Sequence, residues 1–186
     1  MMNKVSSIVL AIGIALLLVA WKPYTERPSS DEEGENTGFQ FIENKGQWNN
    51  NVRFLTDVPN GRLYLGKAGF SYVFQHPEDL AKLTGHGKPL IEGGVMRSHI
   101  FTIDFIGASG DSILGARTFR EYHNYYHGND RSAWASHVPL FREVQYPGMY
   151  DNIDMAIYGD DYQLKYDFLI NPGGDLQKIR MRYTGV

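Results

Sequence analysis

A two-residue alternation of apolar and polar side chains is the feature that most restricts this chain. In residues 162–170, Tyr162, Leu164, Tyr166, Phe168 and Ile170 fall on one side, and Gln163, Lys165 and Asp167 on the other. Successive side chains of an extended strand point to opposite faces, so this period fits a half-buried strand rather than a helix. Just upstream, Ile153, Met155 and Ile157 alternate with Asp154, Ala156 and Tyr158. Gly159-Asp160-Asp161 between the two runs is turn chemistry, which predicts a hairpin over residues 152–170.

The same pattern predicts strands near residues 39–43, 52–56, 62–66, 70–75, 99–106, 112–119, 141–146 and 177–184. Asn60-Gly61, Lys67-Ala68-Gly69 and Gly107 to Gly110 punctuate the earlier strands, and Asn171 to Gly174 the last. Only residues 77–83 read as a helix, with Pro77 in the first turn and Glu78 and Asp79 where the helix dipole favours acids. A polar loop is expected from Thr84 to Arg97. Aromatic residues at 13% suit pleated, half-buried surfaces. Many short strands with almost no helix point to an all-β fold, an antiparallel sandwich, with a barrel as the alternative. No fixed-period repeat suggests a propeller or solenoid.

The N-terminus is different. Residues 5–21 carry no charge, a length between a signal-peptide core and the ~20 residues of a full membrane span. They are expected to be an N-terminal hydrophobic helix, either a signal peptide cut after Ala20 or a signal anchor held at the interface by Trp21 and Lys22. Residues 22–38, with Pro23, Pro28, Ser29, Ser30 and the run Asp31-Glu32-Glu33-Gly34-Glu35, read as an acidic linker. The expected layout is thus a targeting segment at 1–21, a linker at 22–38 and a β-domain at 39–186. The absence of cysteine excludes disulfides, thiolate metal sites and a lipoprotein anchor, and suits an exported chain. A net charge of −3 gives no basic field for nucleic acid, and the membrane is reached only through the N-terminal segment.

Catalytic signals are weak. His123 and His127 are four apart, a ligand spacing on a helix, but on a strand four residues span ~13 Å, so surface or packed histidines are the ordinary reading. Asp151, Asp154, Asp160, Asp161 and Asp167 do not match a calcium-loop spacing, and Asp154 and Asp167 are expected to face solvent. No serine elbow, phosphate loop or dinucleotide fingerprint is present. No metal, cofactor or catalytic residue is assigned. Aromatic residues offer a binding reading instead: Trp48, Tyr122, Tyr125, Tyr126 and Trp134 form a candidate platform for sugar rings. Core packing is the plainer account of the same rings, with Trp48 and Trp134 as core anchors.

Several phrases carry a resemblance. Phe41-Ile-Glu-Asn-Lys-Gly-Gln-Trp48, Asn124-Tyr-Tyr-His-Gly-Asn-Asp130 with Trp134, and Tyr146-Pro-Gly-Met-Tyr-Asp-Asn-Ile-Asp154 followed by Tyr158-Gly159 occur in order. Leu164-Lys-Tyr-Asp-Phe168, Pro172-Gly173 and Ile179 to Gly185 complete the set. Together they resemble the N-terminal β-rich domain of large Bacteroidetes-type surface proteins, where it precedes propeller-type repeats, PKD or Ig-like modules and a gliding-motility or type IX sorting domain. His127, Gly174 and Leu176 depart from that pattern. The resemblance implies a structural or adhesive module without established catalytic residues, its partners being downstream domains of the same polypeptide and cell-surface glycans. It also implies further strands beyond Val186, hence a truncated domain. The motif positions Asn44, Gly46, Gln47, Trp48, Gly128, Asn129, Asp130, Trp134, Asp154, Gly159, Tyr166, Asp167, Phe168, Pro172 and Gly173 are expected to be structural. Gly46, Gly128 and Gly159 would supply backbone angles that other residues resist.

Overall fold

The computed structural model describes residues 38–83, 96–110, 112–126, 128–159 and 163–186. The N-terminal apolar segment, nearly all of the linker, His127 and residues 160–162 lie outside the described residues.

Local alternation builds the strands, and turn residues join them. β1 (Phe41–Glu43), β2 (Phe54–Val58), β3 (Gly61–Gly66) and β4 (Gly69–Gln75) run as antiparallel neighbours. Between β2 and β3 the Val58↔Gly61 pair closes a two-residue loop in which Asn60 takes φ 58°, a left-handed angle that asparagine tolerates. Helix α1 (Pro77–Leu83) follows, as expected from Pro77 and its acidic first turn. β5 (Ser98–Phe105) then pairs with β4, and β10 (Met181–Thr184) pairs with β5. The second half contains β6 (Leu114–Tyr125), the 16-residue β7 (Ala135–Tyr150), β8 (Ile153–Gly159) and β9 (Leu164–Ile170). The hairpin predicted from the alternation at 152–170 is present as β8 paired with β9.

All ten strands belong to one antiparallel sheet in the order β10-β5-β4-β3-β2-β1-β7-β8-β9, with β6 on the side of β7. The register shows how it curls. Phe141 of β7 pairs with both Phe41 of β1 and Thr118 of β6, so β1 and β6 occupy opposite edges of β7. Val144 pairs with both Gly115 of β6 and Ile157 of β8, so β8 occupies the same edge as β1. One long strand therefore hands its edge from β1 to β8 within a few residues. At that point the positions feeding the main core change from the odd Phe141 to the even Val144 and Tyr146. Such a change of facing is what strong right-handed coiling of a long strand produces.

The curl brings the ends of the sheet together face to face. Phe70 of β4 lies 6.1 Å from the Tyr166 ring of β9, and Phe105 of β5 lies 5.9 Å from Phe168. These rings, with Leu63, Leu65, Ile153, Met155 and Ile157, form the larger core. Full burial of each such side chain contributes about 1.5–3 kcal/mol. Tyr146 is almost completely enclosed, its hydroxyl donates to the Gly66 carbonyl at 3.1 Å, and burial holds its phenol far above the ordinary range. Ile170 departs from the expectation: at the strand end it is 39% exposed, while Leu164, Tyr166 and Phe168 pack inward.

A second, smaller core sits on the other face of β1–β3. Ile42, Leu55 and Tyr64 follow or precede Phe41, Phe54, Leu63 and Leu65 along their strands, so alternation sends them to the opposite side. There they meet Phe119, Ala135, Val138 and Leu140 of β6 and β7.

Candidate functional site

The smaller core is open at one end, and the opening is a cleft of about 370 Å³ between β1–β3 and the end of β6. Its aromatic wall is Trp48, half-buried in the loop after β1, and Tyr125, the last residue of β6. Their rings meet edge to face, centroids 5.5 Å apart. Buried Ile42 and Leu55 form the floor. Arg62 Nε of β3, lining the same cleft, donates to Asp57 Oδ1 of β2 at 3.1 Å, an exposed pair at the rim. His123 Nδ1 lies 3.1 Å from the Tyr125 hydroxyl. Burial pushes the Tyr125 phenol up; Asp57 adds to the shift, and Arg62 opposes it.

The loop that carries Trp48 is shaped by its own side chains. Asn44 Nδ2 donates to the carbonyls of Trp48, Asn49 and Val52, and its Oδ1 accepts from the N–H groups of Gly46 and Trp48. Gln47 Nε2 donates to the Glu43 carbonyl, and its Oε1 accepts from Lys45 N–H. Gly46 adopts φ 109°, which a side chain would resist. A turn held by side-chain amides in this way is well defined before any ligand arrives.

The five candidate platform residues do not form one platform. Tyr122 differs from Tyr125 by an odd number of positions, so it points to the opposite face of β6, and Tyr126 lies just past the strand's end. Tyr122 stacks on His137 at 4.5 Å, where His137 takes a left-handed φ of 51° and donates its N–H to Asn124 Oδ1. Tyr126 meets Trp134 edge to face at 5.6 Å. Trp134, expected as a core anchor, is instead 37% exposed, with Arg131 5.4 Å above its ring and its indole N–H donating to the Gly128 carbonyl. The reason lies in the short 3-10 turn Arg131–Ala133, which ends at Trp134 before β7 begins and leaves the indole at the rim. Only Trp48 and Tyr125 share the cleft. Asp57 and Arg62 were not anticipated from the sequence; two charged residues flanking a tight turn look like ordinary surface until β2 and β3 pair.

The carboxylates considered for metal or catalysis are spread out. Asp151 accepts from Lys178 Nζ at 2.7 Å, and that hydrogen bond, then the charge beside it, holds its carboxyl below the usual range. Asp154, expected to face solvent, is half-buried: its two oxygens accept from Gly148 N–H at 2.7 Å and Asn171 Nδ2 at 3.1 Å. It ties the Pro147-Gly148 bend of β7 to the turn after β9, which the alternation alone does not reveal. Asp167 is exposed as expected and accepts from the Tyr158 hydroxyl. Among the described residues, no group of three or more His, Asp or Glu is placed to hold a metal ion.

A family model described as a domain of unknown function, DUF7948, matches residues 41–186, the span that holds all ten strands. The chain belongs to the DUF7948 family. No curated protein and no solved structure matches the chain. Within this DUF7948 domain, several residues of the phrases singled out above make turn hydrogen bonds or pack in the core. Asn44 and Gln47 build the Trp48 loop, Tyr166 and Phe168 fill the larger core, and Asp130 caps the 3-10 turn by accepting from Ser132 N–H and Oγ. Those two hydrogen bonds, the side-chain one first, lower the Asp130 pKa. Gly128 and Gly173 take φ 66° and 89°, whereas Gly159 has an ordinary angle. A Cβ at Gly159 would instead collide with the Phe39 ring, so close approach, not backbone freedom, calls for glycine there. Asn129 and Pro172 lie exposed in turns.

Proposed function

We propose that this DUF7948 domain is a non-catalytic structural or adhesive unit, exported and placed at the N-terminus of a cell-surface or secreted multidomain protein of the Bacteroidetes surface-protein type. Residues 5–21 serve as its signal peptide or anchor, and the facing halves of its curled sheet act as the two layers of a sandwich. Its partners are downstream domains of the same polypeptide and cell-surface glycans. The observation that carries this reading is the use made of the motif residues. Asn44, Gln47, Asp130 and Asp154 spend their polar atoms on turn backbones and turn side chains at separate places along the sheet. They do not converge on one reacting centre, whereas catalysis requires its groups within hydrogen-bond reach of a shared substrate.

The test is surface labelling of intact producing cells with a membrane-impermeant amine reagent, followed by recovery of peptides from residues 39–186. Labelling in intact cells is expected. Labelling that appears only after lysis overturns the export reading.

A further inference from the structure

We propose that the cleft between Trp48 and Tyr125 is a saccharide site that takes a neutral sugar ring by stacking and holds adjacent hydroxyl groups with Asp57 and Arg62. The inference rests on the adhesive reading only for its setting; the chemistry stands on the cleft itself.

Three observations choose the ligand class. First, the wall is aromatic but not sealed: Trp48 and Tyr125 are both half-buried, so ring area remains available in a cavity of about 370 Å³. Small-molecule sites occupy roughly 300–1,000 Å³, and this one lies near the lower end of that range. Aromatic faces attract the weakly positive C–H surface of a sugar ring through the same quadrupole that orders aromatic pairs. Second, the rim offers one carboxylate and one guanidinium, already in contact at 3.1 Å. A charged ligand approaching such a pair meets its own sign on one side. A neutral diol does not, since one hydroxyl donates to Asp57 and the neighbouring oxygen accepts from Arg62. Third, the wall is fixed in advance. The Asn44 hydrogen bonds hold the Trp48 loop, and His123 engages the Tyr125 hydroxyl. A site already ordered loses less entropy on binding, which matters for a weak, stacking-dominated ligand.

The outer aromatic group of Tyr122, Tyr126 and Trp134 lacks this combination. Its rings engage His137, one another and Arg131, and none of them lines the cleft.

Saturation-transfer NMR on the intact chain, with methyl glycosides and short oligosaccharides of glucose, galactose, mannose and N-acetylglucosamine, tests the proposal. At least one saccharide is expected to bind through its C–H face. Asp57→Ala and Arg62→Ala, both exposed positions, are each expected to weaken binding about tenfold or more without moving the unfolding midpoint. Trp48→Phe should weaken it with the fold kept, and Trp134→Ala should leave it unchanged. Three results overturn the site: no saccharide binds the folded chain, binding survives both rim substitutions, or Trp134→Ala abolishes it. Because purified protein is used, a negative result bears on the cleft and leaves the surface-labelling test of export to decide separately.

Discussion

The two hydrophobic clusters share strands yet serve opposite ends. The larger one is closed on both sides by the curled sheet, with Phe41, Leu63, Leu65 and Ile153 fully buried. The smaller one, on the reverse face of β1–β3, has a floor of Ile42, Leu55 and Leu140 but leaves Trp48 and Tyr125 partly exposed. The same alternation of side chains fills both. What differs is coverage: one face receives β8 and β9 across it, and the other receives only parts of β6 and β7. A cavity large enough for a ligand arises where coverage runs out, and it is lined by residues already held in place by the scaffold.

The largest way to break this comparison is to empty the closed core. Phe70→Ala removes a ring that touches Phe105, Tyr146 and Tyr166. It is expected to cost about 3–5 kcal/mol in chemical denaturation. Leu140→Ala in the smaller cluster is expected to cost about 2–3 kcal/mol, because a site beside an open cleft relaxes more readily. If the two losses are equal, the clusters are not distinct in coverage. Next, Asp79→Ala tests the clamp at α1, where buried Asp79 accepts from Arg97 N–H at 3.0 Å and Arg97 Nε at 2.9 Å. Hydrogen bonds to Asp79 and then Glu78 hold the Arg97 guanidinium well above its ordinary pKa. A loss of about 1–3 kcal/mol is expected, since a backbone donor is left unpaired. Tyr146→Phe keeps the packing but removes the hydroxyl bonded to Gly66, for a smaller loss of about 1 kcal/mol, read as a shift in unfolding midpoint.

The smallest effects are electrostatic and sharpen the contrast least. Hydrogen bonds from Ser132 hold the Asp130 carboxyl below the usual carboxylate range, and the hydrogen bond and charge of Lys178 do the same for Asp151. A folded-state pKa below the unfolded one contributes stability above the unfolded value, and that contribution is lost as pH falls through the lowered folded value. NMR titration should show both midpoints depressed, and Ser132→Ala should return Asp130 alone toward its ordinary value. A normal midpoint for Asp130 in the unsubstituted chain would remove its role as a cap.

The strands of the β8–β9 hairpin and helix α1 were legible because each rests on local signals: strict alternation around a turn, and Pro77 with acids behind it. β7 was not. Only residues 141–146 stand out by alternation, and Pro139, Pro147 and Gly148 lie outside that run. The strand absorbs them instead. Pro139 sits against the edge strand β6, and Pro147-Gly148 falls in the register shift between Tyr146 and Tyr150, where Gly148 takes φ 58°. β6 likewise runs past the expected residue 119 to Tyr125, through register shifts between Thr118 and Tyr122 and between His123 and Tyr125. At the other end, the strand expected from residue 177 begins only at Met181, since Asp175 caps a 3-10 turn over Leu176–Lys178. For the cleft, Trp48 and Tyr125 were named from the sequence, but their grouping with Asp57 and Arg62 depends on β1 joining β7, a long-range pairing that no local pattern encodes.

That pairing has a kinetic side. β2 through β5 and β7 through β9 meet close sequence neighbours, and such meanders close small loops early. β1, three residues long, must instead find Leu140 and Phe141 across about a hundred residues of chain. Its docking is therefore expected to be the late, slow event in refolding, with the two halves of the sheet protected from hydrogen exchange before the seam at Ile42. Until that seam closes, the reverse face, with Ile42 and the Trp48 loop held by β2, lacks the β6–β7 side and Tyr125, so any recognition surface built there would mature last.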